Sequence, residues 1–291
     1  MLVLSLFPGI GMLDRAFEEE GFTVVRGPDV LWGGNIRSFH PPVGVFDGVI
    51  GGPPCQMFSA LAHLVRAQGY EPRFGNLIPE FERCVEEASP RWFVMENVPG
   101  APLPEADGYQ VHAQILNNRW LGEEQQRKRR ISFGSRDGRK LHVELSALET
   151  CIKYVAVKAD PRATRDRPKY QREQNQAVTA AHSGHGTVYK KQVTAVVGSL
   201  RETPVAIGGS GKLKASIAAS VTSSDGAGKV KQVRYTLADA CRLQGLPEDF
   251  LADAPFTAEG KLKAVANGVP LPMGRAIARA VKRALGIEDA A

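Results

Sequence analysis

Leu2-Val3-Leu4-Ser5-Leu6-Phe7-Pro8-Gly9-Ile10-Gly11, continuing into Met12-Leu13-Asp14-Arg15-Ala16-Phe17-Glu18-Glu19-Glu20-Gly21, is the stretch that decides the fold. A short apolar run, a proline-glycine loop and an amphipathic segment, in that order, spell strand, turn and helix. The strand covers Val3 to Phe7 and the helix Met12 to Glu20. Leu13, Ala16 and Phe17 make the apolar face of that helix, Asp14, Glu18 and Glu19 the polar one, and Gly21 stands where glycine ends a helix. Working outward, Phe22 to Val25 is a second strand ending near Asp29, and Val45 to Ile50 a third. Leu77 to Ala88 is a helix, and Arg91 to Met95 a strand that stops at Glu96-Asn97. Strands alternating with helices predict an α/β fold with a doubly wound, parallel sheet and a ligand crevice at the strand carboxyl ends. The glycine loop, Asp29, the segment after Ile50 and Glu96 all fall at such ends.

The chain has 291 residues, enough for one large or two ordinary domains. Its net charge of +6 is uneven: residues 138–233 hold 16 Lys and Arg against 7 Asp and Glu, so +9, leaving −3 for the rest. A basic segment within an acidic chain points to a polyanionic partner. That segment lacks helical periodicity. It has β-prone pieces (Tyr154 to Val157, Val193 to Val197) and glycine-serine turns at 208–211 and 223–228. The expected organisation is therefore a main domain of residues 1–137 and 234–291, interrupted by a smaller irregular β domain at 138–233. Helical periodicity returns at Thr236, and Gly274 to Leu285 is a final amphipathic helix ended by Gly286. Cys55, Cys84, Cys151 and Cys241 form no Cys-x-x-Cys pair and no zinc spacing, so neither a metal site nor a disulfide framework is expected. The apolar start lacks a basic leader and is cut short by Pro8-Gly9, and no apolar run is long enough to span a bilayer. The chain reads as cytoplasmic, with no membrane partner.

Gly51-Gly52-Pro53-Pro54-Cys55-Gln56 follows the third strand. Two prolines remove donors and fix φ, so the loop is a rigid platform for one thiol at a strand carboxyl end. A nucleophilic cysteine wants that placement, fixed and near groups that favour the thiolate. Taken alone, a cysteine in such a place is more often a small buried residue beside a turn, and its surroundings are what point to a nucleophile. Glu96 ends its strand pointing toward the same crevice, where a carboxyl group can hold or donate a proton. In Gln125-Gln126-Arg127-Lys128-Arg129-Arg130, before the strand Ile131-Ser132-Phe133, Arg127 and Arg129 share one face and Lys128 and Arg130 the other. The glycine loop with Asp29 twenty residues on reads as an adenosine site, without the lysine pattern of a phosphate loop. A nicotinamide dehydrogenase would also satisfy those two features, but the Pro-Pro-Cys-Gln loop argues against it.

These motifs together resemble the DNA cytosine-5 methyltransferases. Leu4 through Gly11 is similar to the family's cofactor motif, Gly51 to Ser59 (GGPPCQMFS) to its nucleophile loop, and Glu96-Asn97-Val98 to its acidic motif. Gln125-x-Arg127-x-Arg129, Arg242-Leu243-Gln244-Gly245 and Asn267-Gly268-Val269-Pro270 follow in the family's order. The resemblance covers residues 1–136 and 234–285. It departs at Pro8 (usually Ala), Asn35 (usually an acid), Glu123-Glu124 (usually Val-Pro) and Ala266 (usually Gly).

The resemblance implies a Rossmann-like mixed sheet and S-adenosylmethionine as cofactor. Phe7, Gly9, Gly11, Asp29, Asn35, Ile36, Pro53, Leu77, Asn267 and Val269 would bind it, with Asp29 on the ribose and Asn35-Ile36 at the adenine. Cys55 would add to carbon 6 of a cytosine flipped from double-stranded DNA, Glu96 would meet ring nitrogen 3, Arg129 the ring carbonyl, and Arg127 would support the loop. Gln56 and Ser59 would contact the DNA. Residues 138–233 would be the target-recognition domain, with base-reading candidates between Gln171 and His185. Further expectations are a monomer, a bacterial or phage-infected cell, and a cognate restriction endonuclease as possible functional partner. Two alternatives share the motifs: a tRNA cytosine-5 methyltransferase, and a DNA-binding relative without catalysis.

Overall fold

The computed structural model describes residues 1–55, 57–58, 75–146, 153–156, 189–192 and 236–287. Its strands are β1 (Leu2–Leu6), β2 (Thr23–Arg26), β3 (Gly48–Gly51), β4 (Trp92–Asn97), β5 (Gln110–Asn117) and β6 (Lys128–Ser135). Its helices are α1 (Met12–Glu19), α2 (Ile78–Ala88), α3 (Leu237–Leu243), α4 (Ala258–Asn267) and α5 (Leu271–Leu285). The strands form one sheet in the order β2-β1-β3-β4-β6-β5. The first four are parallel neighbours, while β6 runs antiparallel to both β4 and β5. The sheet is thus mixed, where strand-helix alternation alone predicts a parallel one. Two further strands, β7 (Lys153–Ala156) and β8 (Tyr189–Gln192), pair antiparallel within the basic segment. The remainder of that segment from residue 147 on, including the candidates between Gln171 and His185, lies outside the described residues, as do Gln56 and Ser59.

Period-two alternation sorts the strand side chains into two layers. Val3, Ile50, Trp92, Val94, Ile131 and Phe133 face Leu13 and Phe17 of α1 and Ile277 and Val281 of α5. Leu4, Leu6, Val49, Phe93 and Met95 face Phe81, Cys84 and Val85 of α2. Trp92, Phe93 and Phe133 are wholly buried, and two glycines make room for the first two rings. A Cβ at Gly48 would lie 2.2 Å from the Trp92 ring, and one at Gly134 2.2 Å from Phe93. On the outer side, Ala16 of α1 meets Gly274 so closely that a Cβ there would stand 2.5 Å away. That contact lets α1 and α5 cross at short range.

Some boundaries move for identifiable reasons. β4 continues through Glu96 and Asn97, because these residues pair with Ile131 and Arg130 of antiparallel β6. β3 starts at Gly48, leaving Val45 half exposed. α5 begins at Leu271, a turn ahead of Gly274, since Pro272 is tolerated in a first turn. Asp14 is the clearest correction. It is buried among the apolar residues of α1, accepting from Ser5 Oγ of β1 and pairing with Arg26 Nε at 3.0 Å. Burial pushes its carboxyl above the usual range, with Ser5 and Arg26 pulling back.

Candidate active site

The parallel strands β1, β3 and β4 end at one edge, and the predicted catalytic residues meet there. After Gly51 the chain enters Gly52-Pro53-Pro54-Cys55, and the loop is tied down from both sides. Asn97 Nδ2 donates to the Pro53 carbonyl at 3.2 Å, and Phe58 N donates to the Cys55 carbonyl at 2.9 Å. Cys55 is half-buried. Glu96 shares the parity of Trp92 and Val94, so its side chain lies on the α1 and α5 side of the sheet. Gly52 permits its close approach, since a Cβ there would stand 3.1 Å from Glu96 Oε2.

Arg127 and Arg129 share that face, as the alternation predicts. Arg129 Nε pairs with Glu96 Oε1 at 2.7 Å, with both side chains largely out of solvent. Arg127 is 2% exposed and donates from Nη2 to the Gly268 carbonyl at 3.0 Å. Burial, then the neighbouring Arg129, hold its guanidinium down at about 9, with Glu96 and Cys55 acting in the opposite sense. Arg130, one residue on, donates to the Ala101 carbonyl and holds the loop that follows Glu96-Asn97-Val98. Lys128 is exposed.

The thiol environment differs from the expectation that its neighbours favour the thiolate. Burial pushes the Cys55 thiol up and Glu96 adds to the rise; Arg129 and Arg127 lower it by less. The physical reason is that burial of the thiol, the largest cause, disfavours its charged form, and the Glu96 carboxylate beside it adds to that cost more than either arginine offsets.

The predicted adenosine residues surround the carboxyl ends of β1 and β2. Phe7 lies just past β1 with φ 57°, a left-handed conformation uncommon for a side-chain-bearing residue. Gly9 and Gly11 also have positive φ, and a Cβ on Gly9 would meet nothing within 4 Å. The Asp29 carboxylate accepts from Gly9 N at 2.9 Å and from Leu31 N at 2.7 Å, each oxygen keeping a lone pair. Asn35 caps a short 3-10 turn, its Oδ1 accepting from Arg37 N, and Ile36 is buried beside Leu77. Pro53 and Val269 are buried, whereas Asn267 ends α4 exposed to solvent.

Three residues escaped the sequence reading. Trp32, more than half exposed, donates its indole N–H to the Gly9 carbonyl at 2.7 Å and lies against Phe256, ring centroids 5.7 Å apart. An aromatic residue three positions after Asp29 was the available signal. Arg83 of α2 reaches the Ile36 carbonyl at 2.8 Å, and Asp14 anchors β1 to α1. Neither contact has a local signature. At one departure from the family pattern, Glu124 forms a 2.8 Å ion pair with Arg242, joining the approach to β6 with α3.

Residues 35–283 match the family described as C-5 cytosine-specific DNA methylase. Type II methyltransferase M.MthTI of Methanothermobacter thermautotrophicus is 26% identical over 330 aligned positions, covering 98% of each chain. Type II methyltransferase M.NgoPII of Neisseria gonorrhoeae is 28% identical over 168 residues, 47% of this chain and 48% of that one. Among solved structures, Entamoeba histolytica methyltransferase EhMeth superposes with a TM-score of 0.55 at 13% identity, covering 98% of both chains. Spodoptera frugiperda DNMT2 gives 0.54 at 14% identity, with 98% and 99% covered. These two likenesses concern the fold. The chain belongs to the C-5 cytosine-specific DNA methylase family and has its methyltransferase fold, and its class of activity is DNA cytosine-5 methylation.

Proposed function

We propose that this chain transfers a methyl group from S-adenosylmethionine to carbon 5 of a cytosine flipped out of double-stranded DNA, through a covalent bond from Cys55 to carbon 6. The observation that carries the proposal is the convergence of the Cys55 platform with the Glu96–Arg129 pair at one sheet edge. Carbon 5 of cytosine is a weak nucleophile. Sulfur addition at carbon 6 makes it enamine-like, and the displaced charge moves to ring nitrogen 3. Glu96 carries the thiol proton to that nitrogen, so the adduct forms without net charge. Arg129, already fixed on Glu96, presents its remaining N–H groups to the ring carbonyl, donors aimed where charge develops. Once carbon 5 bears the methyl, nitrogen 3 returns its proton to Glu96. Loss of the carbon 5 proton to water then re-forms the double bond and expels Cys55 as a thiolate, which takes the proton from Glu96 and regenerates the thiol. In a duplex carbon 6 is inside the base stack, which is why flipping is required.

The residues around Gly9 and Asp29 fit an adenosyl group. Open space over Gly9, positive φ at Gly9 and Gly11, and spare lone pairs on both Asp29 oxygens suit a ribose lying on main chain. Trp32 and Phe256 offer an apolar flank. When bound, the donor supplies a methyl made electrophilic by a sulfonium sulfur. Residues 1–137 and 234–291 form the catalytic domain in this reading. Residues 138–233, at +9, form the target-recognition domain, with Gln56 and Ser59 meeting the DNA.

The test is transfer of labelled methyl from S-adenosylmethionine to genomic DNA and to tRNA, by wild type and Cys55→Ala. The proposal expects 5-methylcytosine in DNA at one sequence, absent with the variant. Label in tRNA alone would contradict the DNA substrate, and no transfer with DNA still bound would contradict catalysis.

A further inference from the structure

Arg127 is buried, yet among the described residues it pairs with no carboxylate. Its side chain crosses to a peptide 141 positions away, where Nη2 donates to the Gly268 carbonyl at 3.0 Å. The base of the side chain is pinned, because Arg127 N donates to Asn117 Oδ1 and the Arg127 carbonyl accepts from Asn118 N, each at 3.0 Å. Gly268 also packs against the glycine loop's exit: a Cβ on it would lie 2.1 Å from Sδ of Met12, the first residue of α1. Gln244 holds the segment around it, donating to the Val265 carbonyl and accepting from Leu271 N, both at 2.9 Å. One peptide therefore touches the start of α1, directly after the donor-side loop, and the arginine that stands beside Cys55, Glu96 and Arg129.

We propose that Arg127 is a positioning residue that couples occupation of the donor site to the charge environment of Cys55, through its bond to the Gly268 carbonyl. This rests on the functional reading above. Filling the donor site presses on Met12 and the 267–270 loop, and the carbonyl carries that movement to the guanidinium. Among the described residues, the charged groups that act on the thiol are Glu96 from β4 and Arg127 and Arg129 from β6 and its approach. Of these, Arg127 is the one whose side chain is held by the loop. Linkage makes the effect reciprocal: if a bound donor favours the thiolate, the thiolate favours donor binding by the same factor.

The experiment is the pH profile of Cys55 alkylation by iodoacetamide, read on the Cys55 peptide by mass spectrometry, with and without S-adenosylhomocysteine. The midpoint is compared, so shielding that slows alkylation equally at all pH values does not interfere. In the wild type the ligand is expected to lower the midpoint by about half to one pH unit, a roughly three- to tenfold change in thiolate fraction. Arg127→Lys keeps the charge but shortens the reach, and should lose most of that shift while still binding the ligand calorimetrically. Gly268→Ala is a second route, since φ −68° accepts alanine while its Cβ meets Met12. It should reduce the shift, and Met12→Ala/Gly268→Ala should restore it. Ligand binding with no wild-type shift, or an undiminished shift in Arg127→Lys, overturns the coupling alone. No ligand binding by the wild type overturns the donor-site reading and the coupling with it.

Discussion

The two sides of the crevice are built from different materials. The donor side, over β1 and β2, is main chain: two glycines with positive φ, a carboxylate taking backbone N–H groups, and an indole on a backbone carbonyl. The catalytic side, where β3 and β4 meet β6, is made of charged side chains largely withdrawn from water. Main-chain hydrogen bonds share the work among many groups, so the loss of one is graded. Withdrawn charges depend on each other, so the loss of one exposes the rest. The comparison teaches where substitutions should change KM for the donor and where they should abolish turnover.

The largest effect is expected at Cys55. Cys55→Ala removes the nucleophile, and turnover should fall at least about 10⁴-fold with donor binding retained, measured by single-turnover methyl transfer and calorimetry. Glu96→Gln comes next. It should cost about 10² to 10⁴ in kcat, the range for a positioned acid or base. It also strands Arg129, so stability should fall by about 3–5 kcal/mol at most, checked by denaturant unfolding. The same variant has a pH signature. A negative neighbour raises a thiol, so Glu96→Gln should lower the alkylation midpoint of Cys55, while Arg129→Gln should raise it. On the donor side, Asp29→Ala should raise KM for S-adenosylmethionine about 10- to 100-fold with kcat nearly unchanged, as for loss of hydrogen bonds to a charged group. Trp32→Phe, which removes a single indole N–H bond to Gly9, should be smallest, about two- to tenfold in the same KM. A large kcat loss from Asp29→Ala, or an effect of Glu96→Gln confined to KM, would break the comparison.

Much of this was legible in the sequence because its causes are local. A strand, a glycine turn and an amphipathic helix declare themselves within the first 21 residues, and parity along 127–130 puts Arg127 and Arg129 on one face. What was hidden depends on partners distant in sequence. Glu96 and Asn97 belong to β4 only because antiparallel β6 supplies their partners. Asp14 looks like a surface acid until Ser5 and Arg26 are brought to it. The raised Cys55 thiol needs the burial of the loop and the Glu96 carboxylate brought beside it, which no spacing reveals.

The central claim is the bond from Cys55 to carbon 6, and duplex DNA synthesised with 5-fluorocytosine at every cytosine tests it most directly. Fluorine cannot leave as a cation, so the step that would free Cys55 is blocked and no knowledge of the target sequence is needed. With S-adenosylmethionine present, the account predicts a denaturation-resistant protein–DNA adduct that maps to the Cys55 peptide and is absent with Cys55→Ala. An adduct at another residue, or none from a preparation that methylates ordinary DNA, would contradict it.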